Sequence, residues 1–172
     1  MSFKDISHFS NVRDYLPIFN AVIATDLIVV ILLLSGIIKS RVLRQWYHEY
    51  GIAAFLADIL IIIIVLVITR LIYPFFFSSF NIVKFALLAV GVQITHDLLF
   101  YQFFKSVPLG MNRMLDTFKA YGREAGYKAI LSDSGMMILS AVLASYFASL
   151  SLNVNIILMI FLIYLMPYLV TM

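Results

Sequence analysis

Gln93, His96 and Asp97 lie at i, i+3 and i+4 within VGVQITHDLLFYQFF (residues 90–104), so a helix puts an amide, an imidazole and a carboxylate on one face. The surrounding stretch is apolar enough to require a bilayer, where a carboxylate costs at least ~2.5–3.5 kcal/mol on insertion scales. Such residues face a bundle interior and have partners. Asp26, Asp58 and Asp133 occupy other apolar stretches, the last between Ser132 and Ser134. Carboxylates and imidazole grouped in this way could ligate a divalent cation, or pass protons if crowding shifts their titration. The same residues could instead glue helices together, each acid neutralised or bonded to Ser132, Ser134, Gln93 or His96. A third chemistry, a hydrolase or transferase acting on lipid at the interface, would need at least two of the acids within hydrogen-bond reach of a head group.

Composition sets the class in which this chemistry must operate. Of 172 residues, 63% are hydrophobic and 12% charged, with a mean hydropathy of +1.03. Soluble domains run near roughly 45–50% and about 25%. The chain has no cysteine, which removes disulfides, thiolate metal sites and cysteine nucleophiles. It also lacks a TVGYG-like potassium filter, an HExxH zinc motif and a GxSxG elbow. A retinal protein would need seven helices and a lysine deep in the last. The last apolar segment here has none. The expectation is an all-α polytopic transmembrane bundle with no catalytic motif, no resident metal or cofactor and no nucleic-acid partner.

Apolar runs that approach the ~20 residues needed to cross a bilayer place five spans, at 18–38, 51–72, 82–104, 129–149 and 154–172. Together they form one transmembrane domain, 18–172, after an N-terminal arm, 1–17. The arm is too polar for a secretory signal, and Tyr15, Leu16, Ile18 and Phe19 read as an interfacial anchor. Trp46, Tyr47 and Tyr50, after Lys39, Arg41 and Arg44, read as an aromatic and basic belt. Arg70 and Lys84 read as snorkelling to the opposite interface. Between 111 and 125, Met111, Met114, Leu115, Phe118, Tyr121 and Ala125 recur at helical spacing opposite charged residues, which predicts a short amphipathic helix in the headgroup plane. Ser140, Ala144 and Ala148 at four-residue spacing form a small-residue surface for close helix packing, within the chain or between copies. No internal repeat is evident in the letters.

Basic residues concentrate in two loops. Lys39, Arg41 and Arg44 fall in one; Arg113, Lys119, Arg123 and Lys128 fall in the other. The positive-inside rule then predicts an N-terminus outside and a C-terminus in the cytosol. On that topology Asp58 and Asp97 are each seven residues from the cytosolic end of a span, roughly 10 Å deep at 1.5 Å per residue. Asp133 lies about one turn inside the fourth span, and Asp26 nearer the midplane.

The Asp58 stretch ADILI, the stretch HDLLFY at 96–101 and the run MLDTFKAYGREAGYKAILSDSGMM at 114–137 together resemble an uncharacterised multi-pass membrane protein family of the nucleocytoplasmic large DNA viruses of algae and protists. The resemblance covers about residues 50 to 145. It implies a protein of the lipid membrane beneath an icosahedral capsid, made in the host endoplasmic reticulum and carried into virions, and it brings no catalytic residues to transfer. The leading expectation is therefore a structural or scaffolding protein of a viral internal membrane, with the bilayer, capsid or other virion proteins, or copies of itself as partners. The alternative is a proton- or cation-handling protein that uses Asp58, His96, Asp97 and Asp133.

Overall fold

A computed structural model describes residues 3–170. The first two residues of the expected arm and the last two of the expected fifth span, 171–172, lie outside the described residues. Among the described residues the chain is all-α, with seven helices and no strand. They are α1 (Tyr15–Leu34), α2 (Arg41–Tyr50), α3 (Ile52–Phe76), α4 (Ile82–Ser106), α5 (Arg113–Ala125), α6 (Tyr127–Ala148) and α7 (Leu152–Val170). Five of them, α1 with the 3-10 turn before it and α3, α4, α6 and α7, are long and apolar enough to cross a membrane. This is a membrane protein.

The first span begins earlier than its apolar run, at Val12, because Asn11 caps a 3-10 turn that leads straight into α1, with Pro17 in the first turn. It stops at Leu34, not at 38: Gly36 adopts φ +77° and turns the chain away. The belt expected at 39–50 is α2, an amphipathic helix whose first turn is capped by Ser40 accepting from the Leu43 N–H. Trp46 and Tyr47 point inward and are 4% and 6% exposed, so they are not headgroup anchors. The predicted amphipathic helix is α5, capped by Asn112.

α1 is the central span. It packs most extensively on α6, and also against α7 and α3. The small residues of α6 make that approach possible: Ser140, Ala141 and Ala144 have no exposure, and Ala148 is buried. Ser140 Oγ donates to Thr25 Oγ1 at 3.0 Å, and Thr25 donates back to the Ala21 carbonyl of its own helix. The small-residue surface is thus consumed inside the chain and is not free to join copies.

At the end where α1 starts, the arm folds over the bundle. Ser145 Oγ donates to the Lys4 carbonyl at 2.6 Å, and Ile6 is fully buried. Arg70 is not a snorkelling residue. It is fully buried, 3.6 Å from Asp14, donating to the carbonyls of His8 and Asn11, with its guanidinium 4.4 Å from the Tyr15 ring centroid. Lys4 and Asn11 complete the Asp14 carboxylate at 2.9 and 2.8 Å. The arm supplies partners to Nη2 of Arg70, whereas Nε and Nη1 are buried without a hydrogen bond.

The backbone also holds an order that the letters hide. α1, α2, Gly51 and α3 are followed by α4, α5, Gly126 and α6: span, amphipathic helix, single glycine, span. Gly51 and Gly126 have nearly the same conformation, φ/ψ of 49/−122° and 53/−132°, each ending one helix and starting the next. Asp58 and Asp133 each stand seven residues after that glycine.

Candidate functional site

At the end away from the arm, α2 and α5 lie across the mouths of the spans. The Gly51 and Gly126 turns put Asp58 and Asp133 six residues into α3 and α6, roughly 9 Å from the helix start. Asp97 comes from the last turns of α4 and reaches a similar level. These three carboxylates line one cavity of about 530 Å³, with Gln93 and His96. The rest of the wall is mainly apolar and aromatic, including Trp46, Phe100, Phe118 and Tyr121. Among the described residues, no lysine or arginine lines it.

The acids are held differently. Asp58 Oδ2 accepts from Trp46 Nε1 at 3.1 Å and from the Tyr47 hydroxyl at 2.9 Å. The same hydroxyl stands 3.2 Å from Asp26 Oδ1, so α2 ties α1 to α3. Asp26 itself has no exposure and does not line the cavity; it connects to it only through Tyr47. Burial first, then the charges of Asp58 and Asp26 and the hydrogen bonds to both, push the Tyr47 phenol well above its ordinary value.

Asp97 is held by its own helix. Gln93 Nε2 donates to one oxygen and His96 Nδ1 lies 3.2 Å from the other. The imidazole stacks on Phe100, with centroids 5.8 Å apart. Ser134 Oγ reaches Gln93 Oε1 at 3.0 Å, joining α6 to α4. Asp133 differs from the other three: among the described residues it has no hydrogen-bond or ion-pair partner. Tyr121 faces it from α5; burial, and then the negative fields of Asp133 and Asp58, push that phenol up. Ser132, expected beside the acids, is exposed at the cavity mouth and bonds none of them, because it falls on the outer side of α6.

Among the described residues, no three His, Asp or Glu side chains are close enough together to hold one metal ion. The acids share a cavity but do not form a chelating cage.

Lys39, Arg41, Arg44, Arg123 and Lys128 are exposed at this same end, and Arg113 pairs with Glu49 of α2 at 3.3 Å. Lys119 departs from the expected basic rim. It is buried to 9% exposure and donates to the Val107 carbonyl at 2.5 Å, with Asp116 at 3.4 Å, so it fastens α5 to the end of α4.

Sequence reasoning missed Trp46, Tyr47 and Tyr121 as polar partners of the acids. A signal was present: Val42, Leu43, Trp46, Tyr47 and Tyr50 recur at helical spacing between a capping serine and a glycine.

Fold and site together define a polytopic helical membrane protein with an acid-lined cavity roofed by two amphipathic helices. No protein-family model, curated protein or solved structure matches the chain.

Proposed function

We propose that this protein handles cations, and that the cavity shared by Asp58, Asp97 and Asp133 is its working part. The observation that carries this reading is the Asp133 carboxylate, which faces the cavity without a partner while two more acids line the same wall. A carboxylate in a membrane protein requires compensation. A cation entering the cavity supplies it.

A binding site with one entrance fits better than a through-pore. From Asp58 the polar chain runs through Tyr47 to Asp26 and stops there: Asp26 Oδ2 is buried without a hydrogen bond. Beyond it lie the tight packing of α1 on α6 and the Arg70–Asp14 plug beneath the arm. With both basic loops in the cytosol, the cavity lies in the cytosolic half of the bilayer and the N-terminus lies outside.

Unfolding of the purified protein in detergent, measured against a series of cations, tests this. Occupancy at 100 times Kd stabilises by about 2.7 kcal/mol, a clear rise in midpoint. If a variant carrying Asn at positions 58, 97 and 133 and Gln at 96 responds as the wild type does, the acids are not the site.

A second reading concerns where the protein works. The exposed cations at the cavity end suit contact with acidic lipid or protein partners, and the viral resemblance suggests a scaffolding role in an internal virion membrane, reached from the host endoplasmic reticulum. Mass spectrometry of purified particles decides it. Absence of the chain would remove the virion assignment without touching the cavity.

A further inference from the structure

Resting on the cation reading, we infer that the occupant is an amphiphile with an amine or quaternary ammonium head group and an apolar tail, entering the cavity sideways from the bilayer between α4 and α6.

Volume argues against a bare ion. The cavity measures about 530 Å³. A water-sized ion occupies roughly 30 Å³, whereas organic ligands fill about 300–1,000 Å³. Wall chemistry selects the head group. Three carboxylates with no lysine or arginine between them favour a positive charge, and the aromatic faces around them suit an organic cation better than a hydrated one. Phe118 sits between the two aromatic groups, its centroid 4.8 Å from Trp46 and 5.2 Å from Phe100.

The mouth selects the tail. Of all the lining residues, those that are exposed come only from α4, the α5–α6 junction and α6. Leu98 is 53% exposed, Tyr101 49% and Tyr127 72%. Leu98 and Tyr101 belong to a membrane span, so their exposed faces meet lipid. An opening rimmed by leucine and tyrosine admits a chain from hydrocarbon and leaves the charged end among the acids. Asp133, six residues inside α6 and unpartnered, is placed to receive that end.

Trp46 is the single tryptophan of the chain and lines the cavity, so its fluorescence reports occupancy directly. The test titrates protein in maltoside micelles with dodecyltrimethylammonium, dodecyl sulfate and tetramethylammonium, on the wild type, Asp133→Asn and Asp97→Asn. Circular dichroism and gel filtration confirm that each variant is folded. A saturable response to dodecyltrimethylammonium alone, weakened at least about tenfold by Asp133→Asn, is the expected result. Tetramethylammonium acting as strongly as the long-chain cation would overturn the amphiphile while leaving the cation reading in place. Equal responses from wild type and both variants, or a response to dodecyl sulfate, would overturn it as well. Silence toward both organic cations would overturn the amphiphile, and the unfolding series with inorganic cations then decides the cation reading by itself.

Discussion

The two halves of the molecule, α1 to α3 and α4 to α6, repeat one plan and finish it differently. Four residues before the connecting glycine, the first half has Tyr47 and the second has Gly122. Tyr47 fills its place and holds Asp26 and Asp58 together; Gly122 fills nothing, lines the cavity, and leaves Asp133 bare. Five residues before the glycine stand Trp46 and Tyr121, aromatic in both halves, but only Trp46 bonds the acid of its own half. One half is finished as a wall. The other has the same scaffold with a side chain omitted, and the omission leaves open space in the cavity.

Removing the acid from each half should separate them most sharply. Asp58→Ala strands one buried donor, Trp46 Nε1, and leaves the Tyr47 hydroxyl with Asp26 alone, so at about 1–3 kcal/mol for an unsatisfied group a loss on the order of 2 kcal/mol is expected. Asp133→Ala strands nothing and relieves a field shared with Asp97 and Asp58. Its unfolding midpoint in a denaturing-detergent titration should stay within about 0.5 kcal/mol of wild type or rise. Equal losses at the two positions would mean that the halves are not finished differently.

The connecting glycines test the opposite side of the comparison, where the halves should behave alike. Gly51 and Gly126 hold φ of +49° and +53°, a conformation that costs a side-chain-bearing residue about 1–3 kcal/mol. Neither site has an atom within 4 Å of an added Cβ, so the penalty is purely conformational. Gly51→Ala and Gly126→Ala should each lose about 2 kcal/mol in the same titration, equal within error. A tolerated substitution at one would break the repeat.

Tyr47→Phe should cost about 1–1.5 kcal/mol at neutral pH, against less than about 0.5 for Tyr121→Phe, which loses no hydrogen bond. The pH profile adds a sign. Both phenols are pushed above an unfolded value of about 10. The folded state therefore binds more protons than the unfolded one once pH passes about 10, so stability is unaffected below that point and falls above it. Melts taken between pH 8 and pH 11 should show the fall in wild type and a shallower one in Tyr47→Phe. A slope that the substitution leaves unchanged would assign the fall to other groups.

The spans were legible because runs such as LIIIIVLVI at 60–68 admit only one solvent, and the acids stood out against that background. Three features were not legible, each for a physical reason. Trp46 and Tyr47 follow Lys39, Arg41 and Arg44, a composition shared by a membrane belt and a short amphipathic helix; only the period, not the content, separates them. The place of Arg70 along α3 predicts an interfacial residue, yet its surroundings are set by Asp14 and the carbonyls of His8 and Asn11, more than fifty residues earlier in the chain. The repeat survives in two backbone conformations and two aspartates, with no run of matching letters between the halves to reveal it. Helix content follows from local pattern, whereas partnership between a side chain and a distant carbonyl follows from topology.

Gly122 allows the smallest and most direct intervention. It lies within α5, and a Cβ added there would meet only Phe104 Cζ, at 3.8 Å, an ordinary contact. Glycine inside a helix is worth about 0.8–1 kcal/mol less than alanine. Gly122→Ala should therefore stabilise the protein by about 0.5–1 kcal/mol. The added methyl also narrows the cavity beside Tyr121, so the same variant should bind the cationic probe more weakly. A gain in stability paired with a loss in binding is what a position left empty for a ligand predicts. A gain with undiminished binding would mean that the missing side chain has nothing to do with the site, and that the two halves differ at that register for packing alone.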